Sequence, residues 1–250
     1  MLAKRIIACL DVRDGHVVKG VQFEGLRSAG DPAALARRYN VEGIDELVIL
    51  DVTATIERRR ALAETVGAVA RELFIPLAVG GGIRGEADAA AAIEHGADKV
   101  SLNTAALTDP SLVTRLAERY GSQAVIVAID AKREGSGFAV YARSGTSAAA
   151  RDAVDWAREA ADRGAGEILL TSIDRDGVRE GYDLELTRAV ADRVEVPVVA
   201  SGGAGRLEHF AEALTSGADA VLAASRFHFG EFTIPQVKDF LAANGIPVRR

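Results

Sequence analysis

The 250 residues, 48% of them hydrophobic and 26% charged, can bury a large core, and their number suits one α/β barrel better than two small domains. A net charge of −6 argues against the broad basic footprint of a nucleic-acid binder but leaves small anionic ligands open. The single cysteine, Cys9, excludes an internal disulfide, no Cys/His cluster has zinc spacing, and no apolar run is long enough for a membrane span, so no metal or membrane role is expected.

Taken in chain order, Met1 to Lys4 lead directly into an apolar strand at about 5–11, with no room for a signal sequence, and a cytoplasmic enzyme is expected. Further short β-branched runs lie at about 46–51, 75–80, 98–103, 124–130, 166–171, 196–201 and 219–224, separated by alanine-rich stretches. Asp31-Pro32 and Asp109-Pro110 read as helix starts, because proline in a first turn loses no hydrogen bond. Eight strands alternating with helices imply parallel pairing and right-handed crossovers. The expected fold is a single (βα)8 TIM barrel over residues 1–250. The open doubly wound alternative lacks a dinucleotide fingerprint after its first strand. Gly135-Ser136-Gly137 and Ser144 to Ala149 read as loops.

The chain also repeats itself. Pro76, Gly82 and Asp98 recur as Pro197, Gly203 and Asp219, each 121 residues later, and Glu46 to Leu50 recur as Glu167 to Thr171 at the same offset. A period this long is half a domain rather than a solenoid unit. The barrel is therefore expected to consist of two (βα)4 halves, about 1–121 and 122–250, with matched residues on opposite sides of its axis.

In such barrels the active site gathers where strands end. Asp11 and Asp130 each close an apolar strand at matched positions, and opposed carboxylates can divide acid and base roles if their surroundings separate their pKa values. Which one donates is open, and either could instead be a cap or turn aspartate. The glycine runs Gly80-Gly81-Gly82 and Gly202-Gly203 let backbone N–H groups approach an anion, and each is followed by a further strand end, Asn103-Thr104 and Ala224-Ser225. Two anion sites imply a substrate with a phosphate at each end; simple tight turns are the alternative.

Several long motifs, among them Arg5-Ile6-Ile7-Ala8-Cys9-Leu10-Asp11-Val12, Val79-Gly80-Gly81-Gly82-Ile83, Ala128-Ile129-Asp130 and Ser201-Gly202-Gly203-Ala204-Gly205, resemble the cyclase subunits of imidazole glycerol phosphate synthase. The resemblance runs over nearly the whole chain. It implies a (βα)8 barrel without a cofactor that takes ammonia from a glutaminase partner. It also implies conversion of phosphoribulosyl-formimino-aminoimidazole-carboxamide ribonucleotide to imidazole glycerol phosphate and aminoimidazole carboxamide ribonucleotide. By the same resemblance Asp11 and Asp130 are the catalytic acid and base, and Lys19 sits on a mobile loop after the first strand. Cys9, Ser144, Thr171, Asp176 and Ser201 then line the pocket, with phosphate ligands at Gly82, Asn103, Thr104, Gly203, Ala224 and Ser225. The sister isomerase barrel of the same pathway, with the same double phosphate and aspartate pair, is the nearest rival; an inactive binding scaffold is another.

The family pattern is broken in three places: Thr146 to Ala150 replace a basic residue and a Thr-Gly pair, Gln22 and Gly25 replace asparagines, and Arg226 replaces an apolar residue. Arg226 could add phosphate affinity or point to solvent. Alternation along strands places Arg5, Glu46, Lys99 and Glu167 inward at the strand starts, where two cations and two anions can pair. The resemblance makes this quartet an ammonia gate beneath the glutaminase; solvent-facing charges at strand starts are the plain alternative.

Overall fold

Aspartate side chains fasten the beginnings of neighbouring strands. In the computed structural model, which describes residues 2–21, 24–52, 59–143 and 145–249, with the side chains of 19–21, 24–27 and 59–61 also outside the description, Leu77 N–H donates to Asp98 Oδ2 at 2.9 Å while Asp98 N–H donates back to the Leu77 carbonyl at 2.8 Å. Val198 and Asp219 repeat both bonds at 3.1 and 2.8 Å. Ile6 and Asp45 make the same pair at 2.8 and 3.1 Å. The recurring Gly-Ala-Asp motif is thus a strand clamp that satisfies edge N–H groups before each ladder begins.

The chain divides into two compact units, Met1–Ser101 with Leu222–Arg250, and Leu102–Val221. In the first, β1 (Arg5–Arg13) pairs in parallel with β4 (Glu46–Asp51), which pairs with β5 (Leu77–Gly80), which pairs with β6 (Lys99–Leu102). The helices α1 (Pro32–Glu42), α2 (Arg59–Ala70), α3 (Glu86–Glu94) and α10 (Ile234–Ala243) belong to this unit. Asp31 caps α1 by accepting from Ala34 N–H at 2.8 Å and Pro32 fills its first turn, as the sequence predicts; Gly43 ends the helix with φ 81°. The buried Lys238 on α10 reaches Asp45 Oδ1 at 2.7 Å and the Gly43 carbonyl at 2.6 Å, tying the last helix to the first clamp.

In the second unit, β7 (Val125–Glu134) pairs in parallel with β10 (Glu167–Ser172), and β10 with β11 (Val198–Ser201). With them lie α4 (Thr104–Thr108), α5 (Ser111–Tyr120), α6 (Ala153–Asp162), α7 (Leu184–Ala191) and α8 (Leu207–Thr215). β12 (Ala220–Ala223) spans the boundary at residues 221 and 222, and the short α9 (Ser225–His228) belongs to the first unit. Within the units the parallel orders β1-β4-β5-β6 and β7-β10-β11 fit the strand order of a (βα)8 barrel. The 121-residue offset holds at the level of elements: β4, β5, β6, α3 and α4 start at 46, 77, 99, 86 and 104, and β10, β11, β12, α8 and α9 start at 167, 198, 220, 207 and 225.

Two hairpins were not foreseen. β1 turns at Asp14 (φ 51°) and Gly15 (φ 75°) into β2 (His16–Val21), which pairs antiparallel with β3 (Glu24–Gly30); the Asp-Gly pair supplies the two positive φ values of a tight hairpin turn. β7 likewise turns into β8 (Gly137–Ala142) and β9 (Ser147–Asp152). Gly135-Ser136 is a turn as expected, but Gly137 and Ser147 to Ala149 are strand residues rather than loop. Small, weakly patterned residues carry little strand signal alone, and the pairing of Tyr141 with Ala148 and Ala142 with Ser147 decides their conformation.

Candidate active site

In the second unit, polar residues converge on Asp130. It lies on β7 beside Thr171 of β10, and Thr171 lies beside Ser201 of β11, so three predicted site residues occupy one row of neighbouring strands. Asn103, which precedes α4, donates its Nδ2 amide to Asp130 Oδ2 at 2.9 Å. Burial pushes the Asp130 carboxyl up to about 7; the Asn103 hydrogen bond opposes that rise and the nearby Asp176 carboxylate adds to it. Asp176 is held by its N–H to the Ser172 carbonyl at 3.0 Å. The Asn103 Oδ1 atom is buried without a hydrogen-bond partner among the described residues.

Thr104 begins α4, and its hydroxyl accepts from Arg143 N–H at 3.0 Å, a tether absent from the sequence reading. Arg143 adopts φ 52°, one of four non-glycine residues with positive φ among those described, so the hairpin end at this point is held in an uncommon conformation. Ser144, the predicted ligand beside it, lies outside the described residues. Gly203 (φ 107°) accepts from Gly181 N–H at 2.8 Å, and a Cβ on it would run into the Gly181 carbonyl. Glu167 begins β10 and is buried.

In the first unit, Cys9 and Asp11 are both buried on β1, and the Cys9 thiol donates to Asp11 Oδ1 at 3.4 Å. β1 runs two residues past Asp11, to Arg13, whereas Asp51 ends β4, in register with Val12, and was passed over in the sequence although it meets the criterion of a polar residue closing an apolar strand. Lys19 falls on β2, a hairpin strand; its side chain is outside the description. Gly82 has φ 73° with open space where a side chain would stand, while Gly81 (φ 78°) packs so closely that a Cβ would run into the Asp51 backbone. Ala224 precedes α9 and Ser225 begins it, the counterparts of Asn103 and Thr104 at the same offset.

Arg226 is neither solvent-facing nor left for a ligand: it is buried, forms an ion pair with Glu231 and lies over the Phe232 ring. Of the charged quartet, three residues meet in the first unit. Lys99 Nζ contacts both Glu46 carboxylate oxygens at 2.8 and 2.9 Å, and Arg5 donates to Glu46 Oε2 at 2.7 Å, with Glu46 itself 1% exposed.

A family model described as "Histidine biosynthesis protein" matches residues 5–233. "Imidazole glycerol phosphate synthase subunit HisF" of Dehalococcoides mccartyi is 57% identical over 250 residues, spanning 100% of this chain and 99% of its own. Proteins with the same description from Pyrococcus furiosus and Thermococcus gammatolerans are 54% and 55% identical over 249 residues, again spanning 100% of this chain and 99% of theirs. The chain belongs to the HisF family. As a HisF it is a cyclase subunit of imidazole glycerol phosphate synthase, an enzyme of histidine biosynthesis, and its fold class is that of the family. The HisF name is that of a subunit, so the chain works within a larger synthase. No helix among the described residues is long and apolar enough to cross a membrane, and no group of three or more His, Cys, Asp or Glu side chains there could hold a metal ion.

Proposed function

We propose that the chain takes ammonia from a glutaminase partner and converts phosphoribulosyl-formimino-aminoimidazole-carboxamide ribonucleotide to imidazole glycerol phosphate and aminoimidazole carboxamide ribonucleotide, acting in the cytoplasm as one functional domain over residues 1–250. Building a ring nitrogen from ammonia, losing water and breaking a carbon–nitrogen bond each require proton transfer. The observation that carries the reading is the Asp130 carboxyl, which burial brings to about 7, where it can both hold and release a proton near neutrality. Asp11, approached by the Cys9 thiol, takes the complementary acid–base role. The unpaired Asn103 Oδ1 beside Asp130 suits a donor on the substrate.

The substrate's phosphates are assigned to the glycine turns and the strand ends that follow them. Gly82 has open space over its backbone, and Gly203 belongs to a turn held by Gly181. Lys19, Thr171, Asp176, Ser201 and Ser225 are the further ligands this reading expects, with Thr104 pre-set by Arg143. For the partner, three large apolar side chains of the first unit are strongly exposed: Leu2 at 93%, Val41 at 81% and Phe74 at 93%. Leu2 and Phe74 lie shortly before β1 and β5, and Val41 lies in the last turn of α1, the helix that leads into β4, so all three belong to the end at which these strands begin. Exposed apolar groups of that size suit a protein partner.

The test is turnover with an ammonium salt as nitrogen source. Asp11→Asn and Asp130→Asn keep the shape of the side chain but cannot exchange protons, and each is expected to lose about 100-fold or more of the rate. A near-wild-type rate in either variant would remove that residue from the chemistry, and no turnover by the wild type would refute the reaction itself.

A further inference from the structure

We infer that His209 is a positioning residue for the phosphate-binding turn Ser201 to Gly205, holding it with an imidazole nitrogen in the place where the other half of the repeat uses a carboxylate. The inference rests on the reading of that turn as a phosphate site. His209 is the third residue of α8, is buried at 3% exposure, and its Nδ1 accepts from the backbone N–H groups of both Gly205 and Arg206, at 3.1 and 3.2 Å. Its repeat counterpart is Asp88, the third residue of α3, since 88 + 121 = 209, and Asp88 Oδ2 accepts from Arg84 N–H at 2.9 Å; Arg84 in turn corresponds to Gly205. The same bond, from a third helical residue back to the turn before the helix, therefore occurs in both halves with different acceptor chemistry.

The ring does more than cap. Gly181, which donates to the Gly203 carbonyl, is within ordinary contact of the ring, 3.6 Å from where a Cβ on it would stand, and a Cβ on Gly205 would run into the Arg179 carbonyl and lie 3.1 Å from the ring. The turn is thus gripped twice, by Gly181 at Gly203 and by His209 at Gly205. Two backbone donors on Nδ1 fix the tautomer with its proton on Nε2. The Arg206 Nε–H is directed at Nε2, 3.2 Å away, and competes with the two backbone donors for the one acceptor nitrogen of the neutral ring; two donors on Nδ1 outweigh one on Nε2. A neutral acceptor completes the turn without setting a negative charge beside the anion it is to bind. Loss of the acceptor would leave two N–H groups unpaired and let the turn relax away from the conformation that a phosphate requires.

The test compares His209→Asn, whose Oδ1 is bonded to Cγ as Nδ1 is, with His209→Leu, which fills space but accepts nothing. With ammonium as nitrogen source, His209→Leu is expected to raise KM for the ribonucleotide about tenfold or more while kcat falls far less, and His209→Asn to stay within about threefold of the wild type in both. Equal KM in wild type and His209→Leu, a loss confined to kcat, or His209→Asn as impaired as His209→Leu would each overturn the inference. Should His209→Leu fail to fold, nitrogen-15 NMR of the wild type decides. Nδ1 must appear unprotonated, and inorganic phosphate must shift both it and the Gly205 amide; a protonated Nδ1, or no response at either atom, overturns the inference. The NMR arm needs no turnover, so failure of the assigned reaction and failure of the His209 role remain distinguishable.

Discussion

Asn103 Nδ2 donates to Asp130 Oδ2 at 2.9 Å, a bond that stabilises the ionised carboxylate against the burial that raises its pKa. The same carboxyl feels Asp176, which acts in the opposite sense. Asn103→Ala should therefore move the limb of the pH–rate profile that Asp130 controls to higher pH, and Asp176→Asn should move it to lower pH. Both variants also touch expected substrate ligands, so the rate at the optimum should fall in each; the opposed displacement is the diagnostic. Profiles of kcat/KM with ammonium, corrected for the ammonia fraction, check it, and displacement in the same direction would contradict the assignment.

A raised carboxyl pKa is also a stability statement. The unfolded chain ionises Asp130 near pH 4, whereas the folded protein retains the proton until about pH 7, so the stabilisation this group contributes is present below pH 4 and is lost as pH rises through 7. Asp130→Asn removes that dependence. Relative to the wild type, the variant should gain on the order of 1–3 kcal/mol between pH 4 and pH 8. Urea denaturation at the two pH values measures it, and a difference that does not change with pH would show the carboxyl to be ordinary.

The repeat made most of the barrel legible, because strand, turn and helix starts recur at one offset and each unit confirms the other. β10, β11 and β12 begin 121 residues after β4, β5 and β6, so the predicted runs differ from the strands mainly at their ends. Asp11 and Asp130 were legible because a polar residue closing an apolar run marks the functional end of a barrel strand, whereas Thr171 and Ser201 were reached only through the family resemblance. Asp51 satisfies the same criterion and was missed because no recognisable sequence motif follows it. The first hairpin carried an unused signal in the Asp14-Gly15 pair at its turn, whereas the second hairpin's outer strand and the Arg143 tether to Thr104 depend on which segments meet, and local propensity in Ser147 to Ala149 is too weak to foretell that. Arg226 shows the same limit, since its ion pair with Glu231 and its place over Phe232 cannot be read from its neighbours in sequence.

Lys99 and Arg5 converge on one buried carboxylate, Glu46, from two different strands. Lys99 is 17% and Arg5 27% exposed at the side chain, so both cations reach solvent while the carboxylate they share, at 2%, does not. If ammonia passes this charged cluster on its way from a glutaminase, Lys99→Ala or Arg5→Ala should lower glutamine-dependent turnover about tenfold while turnover with added ammonium stays within about twofold. Glu46→Gln is the harsher change, because it leaves two cations facing a neutral amide, and it should also lower thermal stability. Equal losses with the two nitrogen sources would assign the cluster to folding or to the chemistry rather than to transfer.

Neighbouring glycines in the first turn make different demands. Gly81 has φ 78° and a Cβ there would run into the Asp51 backbone, which cannot yield without moving the end of β4; Gly82 has φ 73° with nothing within 4 Å of where a Cβ would stand. Gly81→Ala should therefore cost about 3 kcal/mol or more and depress Tm by several degrees, whereas Gly82→Ala should cost only the 1–2 kcal/mol or so of a left-handed alanine. Function should follow the reverse logic. The space over Gly82 is what a phosphate would occupy, so Gly82→Ala should fold with a smaller loss of Tm than Gly81→Ala and yet raise KM for the ribonucleotide about tenfold or more, by holding the anion off the backbone N–H groups. Thermal melts paired with steady-state kinetics separate the two effects. A Gly82→Ala protein with unchanged KM would show that the open backbone there is only a turn, and the phosphate would have to be sought elsewhere in the fold.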